Sequence, residues 1–205
     1  MSGRAGVLFV HGWNSSSRSY LARGEAVEAA CGAACLAFDL AGHGAGASAP
    51  PESFSPAQHL EQTVARYDEL AARADVAPER IGVCGASYGG YLAALLVAER
   101  PLAGLLLRAP ALYPDAAFEL PPERRRTELV AGGARPLRNL AAYAGPVTVV
   151  ESEHDEVIPP AVVAAYVASR AGIRHETIAG AAHAMSDPAW NAEYLRLILE
   201  WAQTL

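Results

Sequence analysis

Three side chains of this sequence have the types and settings of a nucleophile, a base and an acid. In Gly85-Ala86-Ser87-Tyr88-Gly89-Gly90 a serine stands two residues from a glycine on either side. That spacing suits a serine held on a strained turn, its hydroxyl lifted clear while other backbone passes close by. Serine is a weak nucleophile unless a base takes its proton, and the base needs an acid to orient it. Ser152-Glu153-His154-Asp155-Glu156-Val157-Ile158-Pro159 offers the acid. Asp155, four residues before Pro159, is the expected one, with Glu153 and Glu156 as rivals. Ala179-Gly180-Ala181-Ala182-His183 offers the base; His175 falls inside an apolar run and is the weaker choice. The bland alternative for Ser87 is an ordinary helix N-cap, a place serine favours.

The setting of these residues depends on the elements around them. Short apolar runs recur at Val7–Val10, Cys35–Phe38, Ile81–Cys84, Gly104–Leu107, Val147–Val150 and His175–Ile178. Between them lie helix-like stretches at about 20–30, 56–74, 88–99, 137–144, 160–171 and 189–203. Leu60, Val64, Tyr67 and Leu70 recur at three to four residues, which marks one apolar helix face. Regular alternation of strand and helix, with near-continuous apolar strands, predicts a three-layer α/β/α sandwich on about six parallel strands. Ligands of such sheets bind beyond the carboxyl ends of the strands. Ser87, Asp155 and His183 each follow an apolar run, as that rule requires. So does His11-Gly12-Trp13-Asn14, whose loop can turn backbone amides toward the serine. The expected oxyanion donors are the amides of Trp13 and Tyr88. Trp13, Tyr88, Tyr113 and Met185 are candidates for the pocket wall.

The motifs together resemble the α/β-hydrolase superfamily over nearly the whole chain. They are His11-Gly12-Trp13, Asp39-Leu40-Ala41-Gly42-His43-Gly44, Gly85-Ala86-Ser87-Tyr88-Gly89-Gly90-Tyr91, His154-Asp155-Glu156-Val157-Ile158-Pro159 and Gly180-Ala181-Ala182-His183. The chain order Ser87, Asp155, His183 is the order of that fold. The resemblance implies Ser87 as nucleophile, His183 as general base and then acid, and Asp155 as its orienting partner. The departures lie in loops: Ser152 stands where the family often has glycine, and Gly46 where a serine is usual. Only six residues precede Val7, so a minimal member is expected, a single domain over 1–205 without a leading antiparallel hairpin, as in small bacterial lipases. No large lid domain is expected, only a short cap-like segment at 114–145.

Composition narrows the chemistry further. The chain has no lysine, so Schiff-base enzymes, Ser–Lys dyads and phosphate loops that depend on lysine are excluded. With 16 basic residues against 22 acidic, net charge −6, it is not expected to bind nucleic acid. Cys31, Cys35 and Cys84 form no disulfide framework and no complete zinc-ligand set, and the serine-hydrolase chemistry that the resemblance implies needs neither metal nor organic cofactor, so none is expected. The first apolar run is too short for a signal segment, which needs about 7–15 apolar residues, and no run would span a bilayer. A cytoplasmic protein acting on a small-molecule acyl substrate, with no membrane partner, is the expectation. Of the other histidines, His11 and His43 are expected to stabilise turns, His154 to lie in a loop and His59 on a helix surface. Arg124-Arg125-Arg126 in the cap-like segment could form an arginine rim for an anionic substrate group, or merely a solvated face. A carboxylic ester is the expected substrate. A thioesterase, a small peptidase or amidase with the same triad, or a non-catalytic ligand-binding protein of this fold are the alternatives.

Overall fold

Six apolar runs become the six parallel strands of one sheet. The computed structural model describes residues 3–119 and 134–205. The strands are β1 (Arg4–Val10), β2 (Ala34–Phe38), β3 (Val76–Ala86), β4 (Gly104–Arg108), β5 (Val147–Ser152) and β6 (Arg174–Ile178). They lie in the order β2-β1-β3-β4-β5-β6, so the chain first works outward to one edge and then crosses to build the other half. The helices are α1 (Arg18–Cys31), α2 (Pro56–Ala71), α3 (Tyr88–Leu96), α4 (Arg135–Ala142), α5 (Pro160–Ala168) and α6 (Pro188–Ala202).

Strand side chains alternate between the two faces, and both faces are covered. Val7, Phe9, Cys84, Leu106 and Val150 pack with Tyr20 and Val27 of α1 and Tyr194, Leu197 and Ile198 of α6. Leu8, Val10, Ile81, Val83, Leu105 and Val149 pack with residues of α2, α3, α4 and α5. Leu8, Ile81 and Leu92 are wholly buried, each contributing roughly 1.5–3 kcal/mol. Every residue of α3 is buried, which explains why that helix is apolar all round rather than amphipathic. Helix starts follow local chemistry. At α2, Ser55 and Gln58 form a reciprocal capping box ahead of Pro56, and at α6 the Asp187 carboxylate accepts the Ala189 amide at 2.7 Å.

Strand β3 starts five residues before its apolar run. Arg4 pairs with Val76 while Gly6 pairs with Ile81, so extra residues bulge between them. Pro78, Glu79 and Arg80 occupy that stretch; a proline cannot donate to a ladder and is tolerated at a bulge. Among the described residues no separate lid domain stands over the sheet, and no helix is long and apolar enough to cross a membrane. Arg124–Arg126, whether an arginine rim or a solvated face, and most of the middle of the cap-like segment lie outside the described residues. At its described margins, Asp115 accepts the Arg135 amide at 2.7 Å and pairs with Arg138.

Candidate active site

Strand β3 ends at Ala86 and α3 begins at Tyr88, which leaves Ser87 alone to make the turn between them. Its backbone lies at φ 53°, ψ −118°, a conformation that costs a non-glycine residue roughly 1–3 kcal/mol. The surroundings hold it there. The Ser87 amide donates to the Arg108 carbonyl at 2.8 Å, and its own carbonyl accepts the amides of Ala111 at 3.0 Å and Tyr91 at 3.1 Å. The flanking glycines serve close approach: a Cβ on Gly85 would overlap the Gly89 carbonyl, and one on Gly89 would overlap the Val10 carbonyl.

The three chemistry-bearing side chains meet at this turn. His183 Nε2 lies 3.2 Å from Ser87 Oγ. Its Nδ1 lies 2.8 and 3.0 Å from the two oxygens of Asp155. Asp155 in turn accepts the amides of Ile158 at 2.7 Å and Val157 at 2.9 Å. Burial pushes its carboxyl pKa up. The His183 hydrogen bond and the Ile158 and Val157 amides outweigh burial, so it sits below the ordinary carboxylate range. The two rival acids have another task. Glu153 accepts the Gly180 amide at 2.6 Å and Glu156 accepts the His183 amide at 3.1 Å, so both tie down the loop that carries the histidine. An arrangement of this kind lets the imidazole take the hydroxyl proton while the carboxylate fixes the Nδ1–H tautomer.

The loop after β1 passes directly against the turn; a Cβ on Gly12 would lie 3.2 Å from that of Ser87. His11, wholly buried, fixes this loop: its Nε2 accepts the Leu40 amide at 3.0 Å and its Nδ1 donates to the Gly12 carbonyl at 2.8 Å. Burial lowers its pKa, in keeping with a neutral ring that donates from one nitrogen and accepts at the other. The Trp13 amide follows in the same loop, and the Tyr88 amide opens the first turn of α3, where the helix dipole favours negative charge.

Not every expected residue lies where the sequence suggested. His59, expected on a helix surface, is wholly buried. Its Nε2 donates to the Ala41 carbonyl at 2.9 Å and its Nδ1 accepts the Tyr88 hydroxyl at 2.8 Å. It shares the buried stripe of α2 with Pro56, Leu60, Thr63 and Tyr67, a spacing that could have revealed it. The Tyr88 ring turns away from Ser87 into the layer of α2 and α3, stacked on Tyr91 and edge-on to His59 and Tyr113. Tyr113, a candidate for the pocket wall, packs edge-on against Tyr91 in that layer and is not among the described residues around the cavity over Ser87.

A cavity of about 590 Å³ opens over Ser87 and His183, and Trp13 and Met185 form part of its wall. Other wall residues are ones that sequence reasoning passed over, among them Ser19, Tyr20 and Arg23 of α1, Arg108 at the end of β4, and Asn191 and Tyr194 of α6. Arg108 left a signal, as a charge capping the otherwise apolar Gly104–Leu107 run. Arg23 left none, since only the packing of α1 on α6 brings it to the site. Burial raises the Tyr20 and Tyr194 hydroxyl pKa values and pushes the Cys84 thiol, 3.4 Å from the Tyr194 hydroxyl, up to about 12. All three groups are therefore neutral at physiological pH. Among the described residues no group of three or more His, Cys, Asp and Glu is placed to hold a metal ion.

The sequence model of the alpha/beta hydrolase family matches residues 7–141. An uncharacterized protein of Mycobacterium tuberculosis is 30% identical over 187 residues, 89% of this chain; the chain spans 63% of that relative's length. Among solved structures, a monoacylglycerol lipase of Paleococcus ferrophilus superposes with a TM-score of 0.74 at 18% identity, over 99% of this chain and 96% of that one. A structure from work on the metagenome-derived lipolytic enzymes LipS and LipT superposes with a TM-score of 0.75 at 22% identity, over 100% and 96%. The ferulic-acid-bound Est1E of Butyrivibrio proteoclasticus gives 0.73 at 21%, over 98% and 87%.

Proposed function

The chain belongs to the alpha/beta hydrolase family, and on that footing we propose that it is a serine hydrolase that cleaves carboxylic esters through Ser87, His183 and Asp155. The observation that carries the reading is the unbroken line from Asp155 through His183 to Ser87 Oγ, with steps of 2.8 and 3.2 Å, ending at a strained turn on the wall of a cavity. In the first half-reaction His183 Nε2 takes the Ser87 proton as Oγ bonds to the ester carbonyl carbon. The carbonyl electrons move onto oxygen, and the amides of Trp13 and Tyr88 receive that oxyanion. The carbonyl re-forms, the ester C–O bond breaks, and the alkoxide leaves with the proton from His183. In the second half-reaction His183 takes a proton from water, hydroxide adds to the acyl carbon, and collapse returns Ser87 and a carboxylic acid.

The cavity volume of about 590 Å³ suits a small molecule rather than a protein substrate. The lipolytic and esterase names of the similar structures favour an ester over a thioester or an amide. The test is a burst of p-nitrophenol from a short-chain p-nitrophenyl ester together with labelling by a fluorophosphonate probe. Both are expected from the wild type and neither from Ser87→Ala. An unlabelled Ser87 in folded protein would overturn the proposal, and faster turnover of an acyl thioester or an aminoacyl anilide would move it to another leaving group.

A further inference from the structure

Two arginines stand on the cavity wall with no carboxylate beside them. Surface arginines such as Arg4, Arg100 and Arg196 pair with carboxylates. Among the described residues, Arg23 and Arg108 have no carboxylate partner. Arg108 is only 7% exposed, and its guanidinium donates to neutral acceptors, Ser152 Oγ at 3.0 Å and the His183 carbonyl at 3.2 Å. Arg23 donates to Asn191 Oδ1 at 2.6 Å and to the Ser19 carbonyl. Each therefore engages only part of its fork of five donors. A buried charge satisfied by dipoles alone carries an uncompensated desolvation cost.

Their placement is shared. Both guanidinium groups lie against the ring of Tyr194, at 5.2 Å for Arg23 and 5.7 Å for Arg108, which restrains two like charges at the same wall. The described lining holds no aspartate or glutamate, although the chain as a whole has 22 acids against 16 bases. A concave wall of one sign focuses its field on the bound molecule. Two arginines with spare, pre-oriented donors match a carboxylate, which accepts in a bidentate manner.

We infer that the substrate is an ester carrying a free carboxylate, a half-ester of a dicarboxylic acid or its equivalent, and that Arg23 and Arg108 bind that carboxylate while Ser87 attacks the ester carbonyl. This inference rests on the hydrolase reading above. A purely structural role for the pair would leave substrate charge without effect.

The test compares monomethyl adipate with dimethyl adipate by pH-stat at low ionic strength, in the wild type, Arg23→Gln and Arg66→Gln, the last an exposed arginine of α2. The wild type is expected to favour the charged half-ester in kcat/KM by about tenfold or more, through a lower KM. Arg23→Gln should cut that ratio to near one, and Arg66→Gln should leave it unchanged. A wild-type ratio at or below one, or equal loss on both esters in Arg23→Gln, overturns the inference. A second arm needs no turnover: adipate is titrated calorimetrically into Ser87→Ala with and without Arg23→Gln. Arg23-dependent adipate binding without any Ser87-dependent ester cleavage sinks the hydrolase reading and keeps the anion site. Ester cleavage without adipate binding does the reverse. Inorganic phosphate displacing adipate at lower concentration than adipate itself requires would overturn the carboxylate assignment.

Discussion

The two halves of the cavity are held by different means. On the triad side, positions are set by backbone. Ser87 is pinned through its amide and its carbonyl, Asp155 is seated by two amides, and the His183 loop is tied by amides to Glu153 and Glu156. On the opposite wall, positions are set by side chains reaching across helices. Arg23 of α1 is steadied by Asn191 of α6, 168 residues away in sequence, and by the Tyr194 ring. Geometry anchored on backbone groups follows from strand order, and where a side chain such as Glu153 or Glu156 holds the other end, a substitution that keeps the acceptor leaves it standing. A wall set by side chains can be altered by one substitution. On the function and the anion site proposed above, the reacting groups therefore belong to the durable half, and the groups that select a substrate belong to the replaceable half.

The largest expected effect tests the durable half. Asp155→Asn keeps acceptors for the Val157 and Ile158 amides but presents an amide group to His183, favouring the wrong tautomer. We expect kcat/KM on a neutral ester to fall about 10⁴-fold, with the thermal midpoint little changed. Glu156→Gln, which retains an oxygen for the His183 amide, should lose far less. If the two losses are alike, or Asp155→Asn loses under about tenfold, the acid has been misassigned and the comparison breaks at its firmest point.

Legibility in the sequence divides along the same line. The six strands were legible as apolar runs, and Ser87, Asp155 and His183, which the structure brings together, each follow one, a local pattern. The α/β/α layering followed from alternation alone. The long start of β3 could not, since Pro78-Glu79-Arg80 interrupts the apolar run and the pairing of Val76 with Arg4 is non-local. His59 was misplaced because residue type outweighed position; it occupies the buried stripe of α2 and takes its partners from the Gly42 turn region and from α3. The ring partners of Tyr113, Tyr88 and Tyr91 of α3, were not legible either, since distance along the chain from a strand end says little once the backbone turns, here at Ala109, whose φ is 40°. Arg23 and Asn191 are legible only in three dimensions. Arg124–Arg126 of the cap-like segment, either an arginine rim or a solvated face by the sequence, lie outside the described residues, whereas the arginines seen at the cavity come from α1 and β4.

Arg108 joins the halves, and its removal should show an intermediate effect of mixed kind. It lies on the anion wall, yet it also bonds the His183 carbonyl and Ser152. Arg108→Met should therefore lower kcat on neutral and charged esters together, on the order of 10²-fold, as small displacements of a reacting group do. It should also reduce the preference for the charged ester. Loss of the preference alone would show that the two halves are independent and that Ser152 and the histidine loop stand without it.

The smallest effect probes how the replaceable wall is held. Asn191 accepts from Arg23 through Oδ1 and donates through Nδ2 to the Met185 carbonyl at 2.5 Å and the Asp187 carbonyl at 3.0 Å. Asn191→Ala leaves the guanidinium in place but frees its rotamers. Ordering a long side chain on binding costs about 0.5–1.5 kcal/mol, so KM for a charged half-ester should rise roughly two- to tenfold. The same deletion loosens Met185, which lies two residues from His183 and holds φ 51°. A rise confined to KM means that Asn191 serves the arginine, and the wall can be tuned without touching the triad. A fall in kcat of equal size means that α6 reaches the histidine through the Met185 loop, and the division between the durable and replaceable halves then lies closer to His183 than the hydrogen bonds alone suggest.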